Sequence, residues 1–198
     1  MQLNLSVKYS EPWYSELLDY KKKLNIQPAA FNDAIKIFES SRKNKLSSGR
    51  SIKILILASV YCALKVHAIY IDLKEYIIKL QASLSVVKKM YRTIETQILP
   101  KLKLHPHRFS IIDYINHFAD ELKLISDCKM KAIELINILN SKEIDFSGKD
   151  PKIIAGAAIY ISSRMINISL TQEKIIRVVK STLGTLQNRI RDIKKNLY

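Results

Sequence analysis

Apolar residues recur along the chain at spacings of three and four, with lysines and other polar residues between them. This period is typical of amphipathic helices that bury one face. It predicts five helices in each half of the chain, so the expected fold class is all-α. The predicted ranges are 12–24, 28–42, 51–66, 73–80 and 84–99 in the first half, and 110–122, 128–140, 151–165, 172–179 and 183–198 in the second.

The two halves of the chain repeat one another. "SGRSIKILILASVYCALKV" (48–66) aligns with "SGKDPKIIAGAAIYISSRM" (147–165) at an offset of 99 positions, and the alignment continues without a gap to the C-terminus. Earlier segments pair at an offset of 98. The repeating unit is too long for a solenoid. We therefore predict two similar globular domains, residues 1–99 and 110–198, joined by a Pro- and Lys-bearing connector over 100–109.

Local signals agree with these helix boundaries. Asp150 is placed as an N-cap before the first-turn residue Pro151, and Asp72 begins a segment with capping-box spacing. The helix 151–165 is apolar on nearly every side, as is its counterpart 51–66. A helix of that kind is expected at the centre of its bundle.

The chain is strongly basic. Of its 198 residues, 33 are Lys or Arg and 18 are Asp or Glu, which gives a net charge of +15. Basic and acidic residues number 16 and 8 in the first 99 positions and 17 and 10 in the remainder, so the charge belongs to both folded halves. A basic folded body favours nucleic acid as a partner, ahead of an acidic protein or a membrane surface. The alternative is a lysine-rich surface that serves only solubility.

The motifs of common enzyme classes are absent from the sequence. There is no nucleotide-binding, zinc-protease or hydrolase motif, and four glycines are too few for phosphate-cradling loops. We expect no catalytic residues, hence no enzyme, and no cofactor. Cys62 and Cys128 are expected to be buried thiols, and His105 and His107 lack further ligands, so no metal site is expected. No apolar stretch approaches about 18 residues, which favours an intracellular protein without a membrane partner.

The last two helices of the second repeat have the spacing of a helix-turn-helix. Thr171 and Thr182 are placed as N-caps on either side of a break at "KST". In such a motif the start of the second helix enters the major groove, while the flanks contact phosphate. Gln and Asn can pair with adenine, and Arg with guanine. The predicted base contacts are Thr185, Gln187, Asn188 and Arg191, the predicted phosphate contacts are Lys174, Arg177, Lys180, Lys194 and Lys195, and Thr182 lies among them.

The first repeat carries a related helix pair. Ser83 occupies the position of Thr182, and Lys88, Lys89 and Arg92 follow along the second helix. Two basic units on related bundles could straddle a duplex. The alternative for both is a solvated basic helix pair with no DNA partner.

Four segments of the sequence resemble a known family. "INHFADELKL", "DFSGKDPKIIAGAAIYISSRM", "SLTQEKIIRVV" and "SSGRSIKILILASVYCALK" are similar to the core of transcription factor IIB and of archaeal transcription factor B, over about residues 11–198. The resemblance implies a five-helix cyclin fold, twice, that clamps TATA-binding protein on bent promoter DNA. It further implies that the second repeat reads an element upstream of the TATA box and that the first meets DNA downstream.

The family's recognition stretch "VTVRNRY" falls on "GTLQNRI" (184–190). Asn188 and Arg189 match it, so the resemblance adds Arg189 to the predicted DNA-binding residues. The family's base-reading arginine falls on Gln187, and the valine that packs against bases falls on Gly184. These departures imply an altered sequence preference or binding driven mainly by phosphate contacts.

The predicted function is thus that of a transcription initiation factor IIB-like core, which binds double-stranded promoter DNA together with TATA-binding protein. The family's cysteine-ligated zinc ribbon, which engages RNA polymerase, has no four-cysteine counterpart here. RNA polymerase is therefore a further candidate partner only, and a short paralogue that modulates initiation, or a trimmed chain, is expected. The compartment would be the cytoplasm for an archaeal or viral protein and the nucleus for a eukaryotic one. The alternative function is a cyclin-type module that regulates a kinase or another partner, and a third is a structural adaptor.

Overall fold

The computed structural model describes residues 11–197 except positions 47, 50, 80 and 81 and the side chain of residue 79. These residues form ten α-helices and one 3-10 turn, with no strand among them. One compact unit ends at Arg108 and a second begins at Phe109. The helices are α1 Pro12–Lys23, α2 Pro28–Lys43, α3 Ile52–Val66, α4 Leu73–Lys79 and α5 Leu84–Gln97 in the first unit, and α6 Ile111–Glu121, α7 Ser126–Ser141, α8 Pro151–Met165, α9 Gln172–Val179 and α10 Leu183–Leu197 in the second.

The predicted fold class, all-α with two tandem five-helix cyclin-like repeats, is confirmed. In the first unit α3 contacts α1, α2 and α5, and its residues 55–60 are all buried. In the second unit α8 contacts α6, α7, α9 and α10, and residues 154–159 are buried. Each predicted central helix therefore lies at the centre of its own unit, because it is apolar on nearly every side.

Backbone conformation repeats along with the sequence. Several non-glycine residues adopt the left-handed region, with φ between 49° and 59°. Six of them occur at equivalent positions of the two units, either 98 or 99 residues apart: Asn25 and Lys123, Lys45 and Glu143, Ala68 and Asn167. Each pair marks the end of the same helix in its unit, so both repeats turn the chain in the same way after their first three helices.

Two predicted helix boundaries differ from the structure by two residues, and several others differ by one. α5 ends at Gln97 and not at Leu99, because Pro100 starts a 3-10 turn that cannot extend the helix. α7 begins at Ser126 and not at Cys128, since its first turn is polar and carries no apolar signal. The predicted caps are present: Asp150 Oδ1 accepts a hydrogen bond from Lys152 N at 2.9 Å, and Asp72 Oδ1 accepts from Lys74 N at 3.0 Å.

The segment between the repeats packs with the first unit. Leu99 is fully buried, and Leu102 and Leu104 pack partly buried against the same core. The amide of His107 donates to the carbonyl of Lys65 at the end of α3, at 2.8 Å. The chain thus stays with the first bundle up to Arg108, after which the second unit begins.

Candidate nucleic-acid interface

Helices α9 and α10 form a helix-turn-helix whose geometry is fixed by local capping. Thr171 Oγ1 accepts a hydrogen bond from Lys174 N at 3.3 Å, and Thr182 Oγ1 accepts from Thr185 N at 3.2 Å. Lys180 ends α9 in the left-handed conformation, with φ 54° and ψ 53°. Both threonines therefore cap their helices as the sequence predicts, and a single left-handed residue reverses the chain between them.

A glycine in α8 lets α9 approach the central helix. A Cβ added at Gly156 would lie 2.7 Å from Val179 Cγ1 and 3.0 Å from Ile175 Cγ2, both on the buried face of α9. α10 buries its own apolar face through Leu186, Ile190 and Ile193. The apolar faces of both helices are thus turned inward and their polar faces outward.

The predicted DNA-binding residues lie on the outward side of this pair. Gln187, Asn188 and Arg191 on α10 are exposed, as is Thr182, while Thr185 is half-buried. The predicted phosphate contacts are all exposed: Lys174, Arg177, Lys180, Lys194 and Lys195. The structure therefore brings these side chains to one helix pair with their polar groups accessible. Their role in binding stays a prediction.

Several of these side chains form hydrogen bonds with one another or with a neighbouring residue. Arg191 Nη2 donates to Asn188 Oδ1, and Gln187 Nε2 donates to Gln172 Oε1 at 3.2 Å. Gln172 was not among the predicted residues. Its signal in the sequence is weak, because a first-turn glutamine on an exposed helix has no distinctive pattern. The bond to Gln172 links the start of α9 to the middle of the predicted recognition surface.

Arg189 differs from the other predicted contacts. Its guanidinium forms an ion pair with Asp192 one turn further along α10, and its side chain is only 23% exposed. The charge of Arg189 is thus partly neutralised within the helix. Any contact of Arg189 with DNA would require that pair to open or to be shared.

The electrostatic environment of the turn is positive. His117 on α6 is half-buried, and burial lowers the pKa of its imidazole, with the charge of Lys180 acting in the same direction against Glu121 and Asp120. The ring therefore prefers its neutral form near neutral pH. The positive charge of this region comes from its Lys and Arg side chains.

The first unit presents a basic helix at the equivalent place. Lys88, Lys89 and Arg92 are all exposed along α5. Two neighbouring hollows follow this helix, of about 350 and 610 Å³. Ser83 does not cap α5, since its Oγ lies 3.2 Å from Ser85 Oγ and accepts no helix N–H. Residues 80 and 81 of the predicted turn lie outside the described residues.

Neither a metal cluster nor a membrane span occurs in the part of the chain that the structure describes. No group of three or more His, Cys, Asp or Glu side chains there is arranged to hold a metal ion. No helix there has the length and apolar character needed to cross a membrane. Cys62 and Cys128 are buried free thiols.

Comparison with known proteins gives consistent matches. Residues 109–196 match the family model described as "Transcription factor TFIIB repeat". Transcription initiation factor IIB 1 of Thermococcus kodakarensis is 28% identical over 185 residues, which span 92% of this chain and 60% of that protein. Transcription initiation factor IIB of Methanococcus aeolicus is 30% identical over 183 residues, spanning 92% of this chain and 53% of that protein. The chain therefore spans between about half and three fifths of the length of these relatives.

Solved structures also match this chain. A chain of the CAK complex from Chaetomium thermophilum bound to ATP-gamma-S covers 96% of this chain and 62% of that chain, with 13% identity and a TM-score of 0.37. A similarity of this size has no bearing on function. The resemblance to transcription factor IIB that the sequence motifs predict is confirmed by the family model and the curated relatives.

Proposed function

The chain is a relative of transcription initiation factor IIB, and we propose that it binds double-stranded promoter DNA together with TATA-binding protein. The observation that carries the proposal is the α9–α10 pair, whose buried face is apolar and whose exposed face is basic and amide-bearing. The relatives are initiation factors by name. Those relatives are longer than this chain, so we propose this role only for the region that they share with it.

In this proposal the start of α10 lies in the major groove. Gln187 would then leave its partner Gln172 and face a base edge. Asn188 and Arg191, which are bonded to each other, would separate and face base edges as well. The exposed lysines and arginines of both helices would contact phosphate. Because Gln187 stands at the position of the family's base-reading arginine, we expect contacts with phosphate to contribute more to binding than contacts with bases.

The first unit contributes phosphate contacts through α5. Lys88, Lys89 and Arg92 are exposed on one helix beside shallow hollows, which suits a backbone contact more than base reading. The absence of a side-chain cap at Ser83 also leaves this helix less well defined at its start than α10. We therefore assign sequence preference to the second unit and added affinity to the first.

A fluorescence anisotropy titration tests the proposal. TATA-box and random duplexes are titrated with the protein, with and without TATA-binding protein, at 50 and 200 mM salt. We expect tighter binding to the TATA duplex only when TATA-binding protein is present. Six phosphate contacts would weaken binding by about 10³-fold between the two salt concentrations. Salt-insensitive binding, or no ternary complex, would contradict the proposal and favour a protein-binding module.

Promoter occupancy would also alter initiation. Because Gln187 and Gly184 depart from the family's recognition stretch, we propose that the protein occupies promoters with a different sequence preference and thereby modulates initiation there. Adding it to a reconstituted promoter assay is expected to reduce or redirect transcripts. An unchanged transcript pattern at saturating protein would exclude this role.

A further inference from the structure

A small pocket opens in the second unit where the C-terminal ends of α8 and α10 meet. Its volume is about 210 Å³. Both the charged and the apolar parts of its wall come from these two helices. The lining residues are Tyr160, Ile161, Arg164, Met165, Lys194 and Leu197.

The charged side chains among the described lining residues are both basic. Arg164 and Lys194 are exposed, and among described residues neither forms an ion pair with a carboxylate. The Arg164 guanidinium lies 5.3 Å from the centre of the Tyr160 ring. Among the residues that the structure describes, no carboxylate pairs with these two cations beside the phenol hydroxyl, which leaves a local excess of positive charge and of hydrogen-bond donors.

The pKa of the Tyr160 hydroxyl reflects this positive environment. Hydrogen bonds with Gln172 and Arg164 lower the pKa of Tyr160, and the charges of Arg164 and Lys194 add to the effect. In the first unit the pKa of Tyr91 is shifted in the opposite direction, since burial and the neighbouring Glu95 raise it. The pocket thus stabilises negative charge on an oxygen atom inside it.

The equivalent place in the first unit is neutralised. Tyr160, Arg164 and Lys194 correspond, 99 positions earlier, to Tyr61, Lys65 and Glu95. Glu95 Oε1 accepts a hydrogen bond from Tyr91 at 2.7 Å, and the rings of Tyr61 and Tyr91 pack edge to face at 5.1 Å. The first unit therefore has an internal carboxylate where the second has a second cation.

The wall beside the two cations is apolar. Met165 is 46% exposed although it lies next to charged groups, and Ile161 and Leu197 line the same hollow. A DNA phosphate would meet the two cations but would leave this wall without an apolar partner. A peptide carboxylate followed by a large apolar side chain would meet both.

We propose that this pocket binds an acidic peptide segment of a partner protein, with a carboxylate between Arg164 and Lys194 and the next apolar side chain against Met165. The carboxylate of the bound segment supplies in trans the negative charge that Glu95 supplies internally in the first unit. The inference does not depend on DNA binding, although Lys194 is also among the predicted phosphate contacts. The experiment therefore separates the two roles.

The test uses the full chain and two fluorescein-labelled peptides. One carries a single Glu followed by Leu and Phe in a Gly-Ser context, and its match carries Gln in place of Glu. Lys194→Glu restores the charge pattern of the first unit, while Lys195→Glu makes the same charge change at the adjacent exposed residue. We expect saturable binding of the Glu peptide and at least about tenfold weaker binding of the Gln peptide. Lys194→Glu should lower the affinity for the Glu peptide at least about tenfold, and Lys195→Glu should lower it less than about twofold.

Four results would overturn the proposal. Equal losses with both lysine variants would indicate general charge attraction, and equal binding of the two peptides would indicate a purely apolar contact. A selective loss of random-duplex binding with Lys194→Glu, without loss of peptide binding, would assign the pocket to DNA phosphate. Absence of saturable peptide binding excludes the site as well. Circular dichroism checks folding, and Arg164→Gln gives a second variant that is expected to weaken the Glu peptide by a similar factor.

Discussion

The two units dock their fourth helix on the central helix in different ways. In the first unit Tyr76 is fully buried, and its hydroxyl donates to the carbonyl of Leu57 in α3 at 2.7 Å. At the equivalent positions the second unit has Ile175 and Gly156, and α9 lies directly against the glycine. In the first repeat a large hydrogen-bonded side chain therefore joins the fourth helix to the central helix. In the second repeat a glycine lets the two helices pack directly against each other. Side chains at these positions cannot be exchanged singly between the repeats.

The helix pairs also differ at their turns. Thr182 caps α10, whereas Ser83 at the same position of the first unit makes no cap. Both helices expose basic side chains and begin with a backbone bond to the carbonyl of the cap residue, but only the first turn of α10 is also held by a cap side chain. A fixed first turn suits the reading of base edges, and a less defined one suits contact with phosphate.

The largest expected effect comes from emptying the Tyr76 site. Tyr76→Ala should lower the free energy of unfolding of the first unit by about 3–5 kcal/mol, because it leaves a large cavity. Tyr76→Phe should cost about 1 kcal/mol through loss of one hydrogen bond. Urea unfolding followed by Trp13 fluorescence measures this, since Trp13 is the single tryptophan and is buried in the first unit. Equal losses for the two variants would show that the ring is not packed as described.

Gly156 is the matching site in the second unit. Gly156→Ala should destabilise that unit by about 1–3 kcal/mol, because the new methyl group would overlap Val179. Gly184→Ala is the control, since nothing lies within 4 Å of a Cβ there and a helical alanine should add about 0.5–1 kcal/mol. Circular dichroism melting would record both changes. Stabilisation by both substitutions would contradict the close approach of α9.

The capping difference predicts a smaller effect. Thr182→Ala should cost about 1 kcal/mol, since it removes an acceptor for Thr185 N. Ser83→Ala should change stability by less than about 0.5 kcal/mol, because no helix N–H loses its partner. The two variants are compared in one denaturant series. A larger loss of stability for Ser83→Ala than for Thr182→Ala would contradict the finding that only Thr182 caps its helix.

The smallest effect concerns acid pH in the first unit. Burial would raise the pKa of Asp33, but hydrogen bonds with Lys36 and His67 outweigh it and lower the pKa. The native carboxylate therefore stabilises the fold above its unfolded pKa of about 4, and this contribution is lost as pH falls through the lower native value. Its size is below about 1 kcal/mol because the pair is partly exposed.

Asp33→Asn removes this pH dependence from the first unit. At the equivalent positions the second unit has the charge-reversed pair Lys131–Glu134, 2.9 Å apart, and Ile166 in place of His67. Urea unfolding followed by Trp13 fluorescence at pH 7 and pH 3 should therefore show a smaller difference for Asp33→Asn than for the unsubstituted protein. An unchanged difference would mean that other carboxylates carry the acid sensitivity.

Much of the helical framework could be predicted from periodicity. Spacings of three and four located the helices, and Asp150, Thr171 and Thr182 marked helix starts, because N-caps depend on neighbouring residues alone. The role of Gly156 could not be predicted, since small residues show that something approaches but not which helix. That information lies in contacts with Val179, far along the chain.

The candidate site was predictable in its location but not in its internal contacts. Exposure of Gln187 and Arg191 follows from the apolar positions of α10 on the opposite side. The bond from Gln187 to Gln172 and the pairing of Arg189 with Asp192 depend on side-chain conformations that no period specifies. The charge difference between Glu95 and Lys194 is visible in the aligned repeats, but only the structure shows that Lys194 lines a pocket.

The central claim is that the exposed side of α9 and α10 holds DNA. Its most direct test is the anisotropy of a labelled promoter duplex with Lys180→Glu and Arg191→Glu combined, beside Lys88→Glu and Arg92→Glu as the matched pair in the first unit. We predict that the second-unit pair abolishes binding with helical content unchanged, and that the first-unit pair weakens it about tenfold to a hundredfold. Undiminished binding by the second-unit pair would contradict the account.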